Sequence, residues 1–134
     1  MIVKEGTESL VAAKRILVVD DEASIRDLCA RVLQRAGFEV AVASSGEEAM
    51  GRLQAEAFDG VVSDIRMPGL SGLDVLGTAK QLYPGIRVVL ITGFGTAQTL
   101  DRARQSGADR ILTKPFNPVE LLGAVRDILT TKQP

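Results

Sequence analysis

The residues best suited to chemistry in this chain are three carboxylates, a hydroxyl and an ammonium, each at the end of a short apolar run. Asp20 and Asp21 follow RILVV, Asp64 follows GVVS, Thr92 follows RVVLI, and Lys114 follows RILT. If the runs are neighbouring strands of one parallel sheet, all five groups meet on one rim. Carboxylates packed together repel one another, so they call for a hard divalent cation. A carboxylate can also accept a phosphoryl group covalently, and the charge on that group is met by metal and ammonium. Asp64, alone on its strand and facing the Asp20–Asp21 pair, is the candidate acceptor. Mg2+ is the expected ion, Lys114 the neutralising cation and Thr92 a hydroxyl donor to a phosphoryl oxygen.

The elements that must position this set are legible in the apolar periodicity. Strands are expected near Arg15–Val19, Glu39–Ala43, Gly60–Ser63, Arg87–Ile91 and Arg110–Leu112, with helices at about Ala23–Ala36, Gly46–Ala55, Gly72–Leu82, Thr96–Ser106 and Pro118–Leu129. Strands alternating with helices imply an α/β fold with a parallel sheet covered on both faces. The first, third and fourth strands are almost continuous in Val, Ile and Leu, which marks them as central. In a five-stranded doubly wound, flavodoxin-like sheet of order 2-1-3-4-5, ligands bind beyond the carboxyl ends of strands one and three, where the order reverses. Gly37 and Gly107 are placed to close helices, and Ser45, Ser71 and Asn117 to open them. Lys114 precedes Pro115, which keeps it out of helical backbone and aims it back over the rim.

Composition narrows the function classes. The 134 residues carry 16 basic and 17 acidic side chains, a net charge of -1, so no basic field draws the chain to nucleic acid. No apolar run approaches the length of a membrane span, and the opening MIVKEGTESLVAA is unlike a secretory signal; a cytoplasmic protein is expected. The one cysteine, Cys29, lies on the apolar face of the first helix and reads as core. With no histidine in the sequence, His-based catalysis and metal ligation are excluded, and the chain cannot itself carry a phosphohistidine.

The motifs VVDDE, SDIRMPGLSG, ITGFGT and LTKPF, in that order, resemble the receiver domain of bacterial two-component response regulators, over about Lys14 to Leu129. ITGFGT is similar to receivers of nitrogen-regulation activators. The resemblance implies a CheY-like fold in which Asp64 matches the phosphoacceptor, Asp21 the direct Mg2+ ligand and Asp20 its water-mediated neighbour. The backbone carbonyl of Arg66 matches the third protein ligand, Thr92 the switch hydroxyl and Lys114 the phosphate-binding lysine. It implies a sensor histidine kinase or histidine phosphotransfer protein as donor, a downstream protein or effector domain as target, and a dimer that forms on phosphorylation. No catalysis beyond self-directed phosphoryl transfer and autodephosphorylation is expected.

One position departs from the pattern. Receivers commonly carry an aromatic residue on the fifth strand where this chain has Ile111, which offers no ring or hydroxyl to a relay from Thr92. Output is therefore expected through the loop after strand four and the fourth helix, whose only large aliphatic residue is Leu100. Arg66 beside the site and Phe94, two residues past Thr92, are the positions expected to tune the phosphoryl lifetime, with slow autodephosphorylation as the outcome. The expected organisation is an N-terminal extension over 1–13, the receiver over 14–130, and a tail or linker start over 131–134. The readings set against this one are a degenerate receiver that binds partners without phosphorylation, an aspartyl-phosphate phosphatase and a flavin protein. The phosphatase would want a second acid where Arg66 stands, and Asp-Asp-Glu after strand one would repel a flavin phosphate.

Overall fold

A computed structural model of the chain describes residues 13–93 and 95–130. The expected tail over 131–134, all of the expected extension but Ala13, and Phe94 lie outside the described residues. Strands β1 (Arg15–Val19), β2 (Glu39–Ala43), β3 (Gly60–Asp64), β4 (Arg87–Thr92) and β5 (Arg110–Thr113) alternate with helices α1 (Ala23–Arg35), α2 (Gly46–Ala55), α3 (Gly72–Leu82), α4 (Ala97–Gln105) and α5 (Pro118–Thr130). The strands form one parallel sheet in the order β2-β1-β3-β4-β5. This is the expected order, with the reversal between β1 and β3.

Alternation along each strand divides the core in two. Leu17, Val19, Val61, Val88 and Leu90 face the layer that holds α2, α3 and Ala103 of α4. Ile16, Val18, Val62, Val89, Ile91 and Leu112 face Cys29 and Leu33 of α1 and the buried stripe Leu121, Ala124, Val125 and Ile128 of α5. Both sheet faces are thus sealed, and apart from Ser63, buried within β3, the strands offer polar groups only at their ends. Cys29 is buried, which with nearby Asp20 pushes its thiol up to about 12, so it serves as core.

The expected caps act as caps. Ser45 Oγ accepts from Glu48 N, Ser71 and Asp74 form a reciprocal capping box, and Asn117 and Glu120 bond each other's backbone N–H at the start of α5. Gly37 and Gly107 follow α1 and α4 with φ of 101° and 102°, a left-handed turn that lets Phe38 and Ala108 bond back to Leu33 and Ala103. Boundaries shift where long-range pairing decides them. β3, β4 and β5 each run one residue further than their apolar runs, because Asp64 pairs with Ile91 and Thr92 with Thr113. The fourth helix is shorter than Thr96–Ser106, those two residues being its caps, and α1 ends at Arg35 with Ala36 as its cap. Among the described residues no helix is long and apolar enough to cross a membrane.

Candidate phosphoryl-transfer site

The extra residue on β3 and on β4 makes Asp64 and Thr92 the last residues of strands rather than the first of loops. Their backbone is therefore held by the sheet. Ile65 N donates to Ile91 O at 2.9 Å just beyond Asp64, and Lys114 N donates to Thr92 O at 2.8 Å. The second bond continues the β4–β5 ladder into the turn that carries the lysine. The Lys114–Pro115 peptide is cis.

On the neighbouring strand end, Asp20 N donates to Ala43 O at 3.2 Å, and Asp20 Oδ1 accepts from Glu22 N at 2.9 Å. The Arg26 guanidinium donates to the Asp20 carbonyl at 2.9 Å. Asp20 is 2% exposed, Asp64 5% and Thr92 1%, whereas Asp21 is exposed. The two adjacent acids are thus unequal, one driven into the rim and the other facing solvent.

Carboxylate oxygens of Asp20, Asp21 and Asp64 lie within 4.8 Å of one another. Lys114 Nζ sits 3.6 Å from Asp64 Oδ2 and 3.6 Å from Glu22 Oε1. Burial, and then the charge of Asp20, push the Asp64 carboxyl up to about 6 despite Lys114. Asp20 is also raised, again chiefly by burial. Burial works against the charged form of Lys114, but Asp64, Asp20 and Glu22 outweigh it and the net shift is upward. Asp20 Oδ2 is buried with no hydrogen-bond partner. A buried carboxylate oxygen with nothing to bond, in a cluster of three acids, suits a hard cation with oxygen ligands. The residues present fit Mg2+.

The loop after Asp64 is clamped from the side. A Cβ on Gly72, the first residue of α3, would come within 2.3 Å of the Asp64 carbonyl oxygen, and Gly72 N donates to Ile65 O at 2.9 Å. Only a residue without a side chain lets α3 start this close to Asp64. Thr92, Arg66, Thr96, Thr99 and Arg102 help line a cavity of about 350 Å3. Thr92 therefore borders a cavity that reaches the start of α4. Ile111 is half-buried and packs on the sheet face that also holds Ala103 of α4.

The structure thus brings together Asp20, Asp21, Asp64 and Lys114, with Thr92 on the adjoining strand end; Arg66 follows in the β3–α3 loop with its side chain exposed. Sequence reasoning missed Glu22 as a partner of Lys114. The signal was the third acid of VVDDE, which by composition alone reads as an ordinary helix-start residue.

Comparison with known proteins shows the family and the fold. The response regulator receiver domain family model matches residues 16–126. Response regulator protein FleR of Pseudomonas aeruginosa is 35% identical over 113 residues, 84% of this chain and 24% of that protein. Sporulation initiation phosphotransferase F of Bacillus subtilis is 31% identical over 119 residues, 89% of this chain and 96% of that protein. The chain spans about half the length of other curated relatives, such as the alkaline phosphatase synthesis regulator PhoP of Bacillus subtilis, at 48%. The structure resembles a CheY-like receiver domain protein from Methanospirillum hungatei with a TM-score of 0.84, at 32% identity over 88% of this chain and 94% of that one.

Proposed function

The chain belongs to the response regulator receiver domain family, the signalling modules of two-component systems, and from that premise we propose that Asp64 takes a phosphoryl group from a partner's phosphohistidine in a Mg2+-dependent reaction. The observation that carries this reading is the meeting of Asp64 with Asp20, Asp21 and Lys114 at the strand ends. The roles follow from placement. Asp64, mostly ionised at neutral pH, presents an oxygen to phosphorus; the P–O bond forms as the P–N bond to the donor imidazole breaks, and the departing nitrogen keeps the electron pair and takes a proton from solvent. Lys114 neutralises charge on the phosphoryl oxygens from one side. Asp20, Asp21, Asp64 and the Arg66 carbonyl would hold Mg2+, which when bound supplies charge neutralisation for the transferring group. Thr92 donates its hydroxyl to a phosphoryl oxygen.

The partner follows from chemistry, since a chain without histidine needs its phosphohistidine from elsewhere. A sensor kinase or histidine phosphotransfer protein is the donor, and an apolar cleft beside Lys114, lined by Ile25, Leu28, Pro115 and Phe116, supports a docking face there. Output passes through α4 and β5 to a downstream protein or effector domain, with a phosphorylation-dependent dimer as one form of it. Arg66 and Phe94 tune the phosphoryl lifetime. The domain acts in the cytoplasm, binds neither membrane nor nucleic acid directly, and turns over no substrate beyond its own phosphoryl group. Its boundaries are 14–130.

The test is intact-protein mass spectrometry after incubation with Mg2+ and a small acyl phosphate. Wild type gains one phosphoryl group and Asp64→Asn gains none. Wild type without an adduct would support a receiver that signals without phosphorylation.

A further inference from the structure

We propose that Glu22 restrains phosphoryl loading by holding the ammonium of Lys114 away from the incoming phosphoryl group; this rests on the reading of Asp64 as acceptor. Glu22 stands at the N-cap of α1, in extended backbone with φ of -92° and ψ of 116°, and its side chain makes no capping bond. It takes none of the helix N–H groups open to it there. It reaches across the rim, and its Oε1 lies 3.6 Å from Lys114 Nζ, the same separation as between that nitrogen and Asp64 Oδ2.

The ammonium is therefore shared. Asp64 holds it from the buried side, and Glu22, with its side chain 60% exposed, holds it from the solvent side. The Glu22 backbone meanwhile donates to Asp20 Oδ1 at 2.9 Å, so one residue ties the acid pair to the lysine. A phosphoryl donor arrives as an anion from solvent. It must displace the Glu22 carboxylate before Lys114 can turn to the phosphoryl oxygens, and until then Glu22 lowers the positive potential that would attract it. Glu22 thus acts as an electrostatic brake on loading, and the phosphoryl group replaces it as partner of Lys114.

The experiment is the rate of phosphorylation by a small acyl phosphate at saturating Mg2+, followed by mass spectrometry. Wild type and Glu22→Gln are compared in parallel with the same pair in a Lys114→Met background. Glu22→Gln should load about two- to fivefold faster, the range that a solvent-exposed ion pair carries, and the acceleration should vanish without Lys114. Glu22→Asp, which withdraws the carboxylate by one methylene, should fall between wild type and Glu22→Gln. A rate unchanged or slowed in Glu22→Gln would overturn the proposal, as would an equal acceleration in the Lys114→Met background, which would place the effect in the general field. Failure of wild type to load at all would overturn the acceptor reading of Asp64 instead.

Discussion

Asp64 is set against its own charge. Its carboxyl moves from 3.8 to about 6, first because it is buried and next because Asp20 faces it. Since the folded value lies above the unfolded one, the folded state holds the proton more tightly. The associated stability is full below pH ~4 and is lost as pH rises through about 6. At neutral pH the ionised acceptor costs the metal-free fold up to about 3 kcal/mol, taking 1.36 kcal/mol per pKa unit. Asp64→Asn should therefore stabilise the metal-free protein by about 1–3 kcal/mol at pH 7.5, and the gain should shrink to nothing near pH 4. Urea melts of both proteins across this range check it, and a gain that does not vary with pH would contradict the assignment. Glu22 and Lys114 show the opposite economy, a pair near solvent whose value lies in where it holds the ammonium rather than in stability.

Among the elements, α4 is the one least tied to the core. It buries only Ala103, with Leu100 half-buried, whereas α5 buries Leu121, Ala124, Val125 and Ile128. Few apolar anchors mean a low free energy of local opening. Amides of α4 should exchange faster than those of α5 in the unphosphorylated protein, and phosphorylation should change exchange in α4 and β5 more than in α1. Equal protection of α4 and α5, unchanged on phosphorylation, would remove α4 as the responsive element. The weakness of α4 was readable in its composition, as were the five strands, because each apolar run stops at a polar residue. The added residue on β3, β4 and β5 was not readable, since Asp64, Thr92 and Thr113 join their strands through partners on other strands. Nor did sequence separate buried Asp20 from exposed Asp21, which differ only in the direction the chain leaves β1. The fit of Gly72 against the Asp64 carbonyl and the diversion of Glu22 to Lys114 are equally long-range. Periodicity reports which face a residue takes, not which distant group it meets.

At the scale of the molecule, the two ends of the sheet do different work. At the amino ends of β4 and β5, Asp109 is satisfied by Lys80 at 3.0 Å, Arg87 at 3.3 Å and Val88 N at 2.7 Å. At the carboxyl ends Asp20, Asp21 and Asp64 cluster, Lys114 pairs with Asp64 and with Glu22, and an Asp20 oxygen has no partner. Charges are thus paired around Asp109 at one end, and carboxylates are concentrated at the other. Mg2+ should raise the melting temperature at pH 7.5, with a stabilisation of about 2.7 kcal/mol at a hundredfold excess over its Kd. Asp20→Asn and Asp21→Asn should each lose most of that rise, and a rise of the same size in both variants would show that the ion binds elsewhere.

Asp64, and neither acid of the facing pair, is the residue proposed to carry the phosphoryl group. Borohydride reduces an aspartyl phosphate to homoserine, which marks the residue in a peptide map. After loading with Mg2+ and a small acyl phosphate, reduction and digestion, homoserine should appear at position 64 alone. Homoserine at position 20 or 21, or at none of the three, would contradict it.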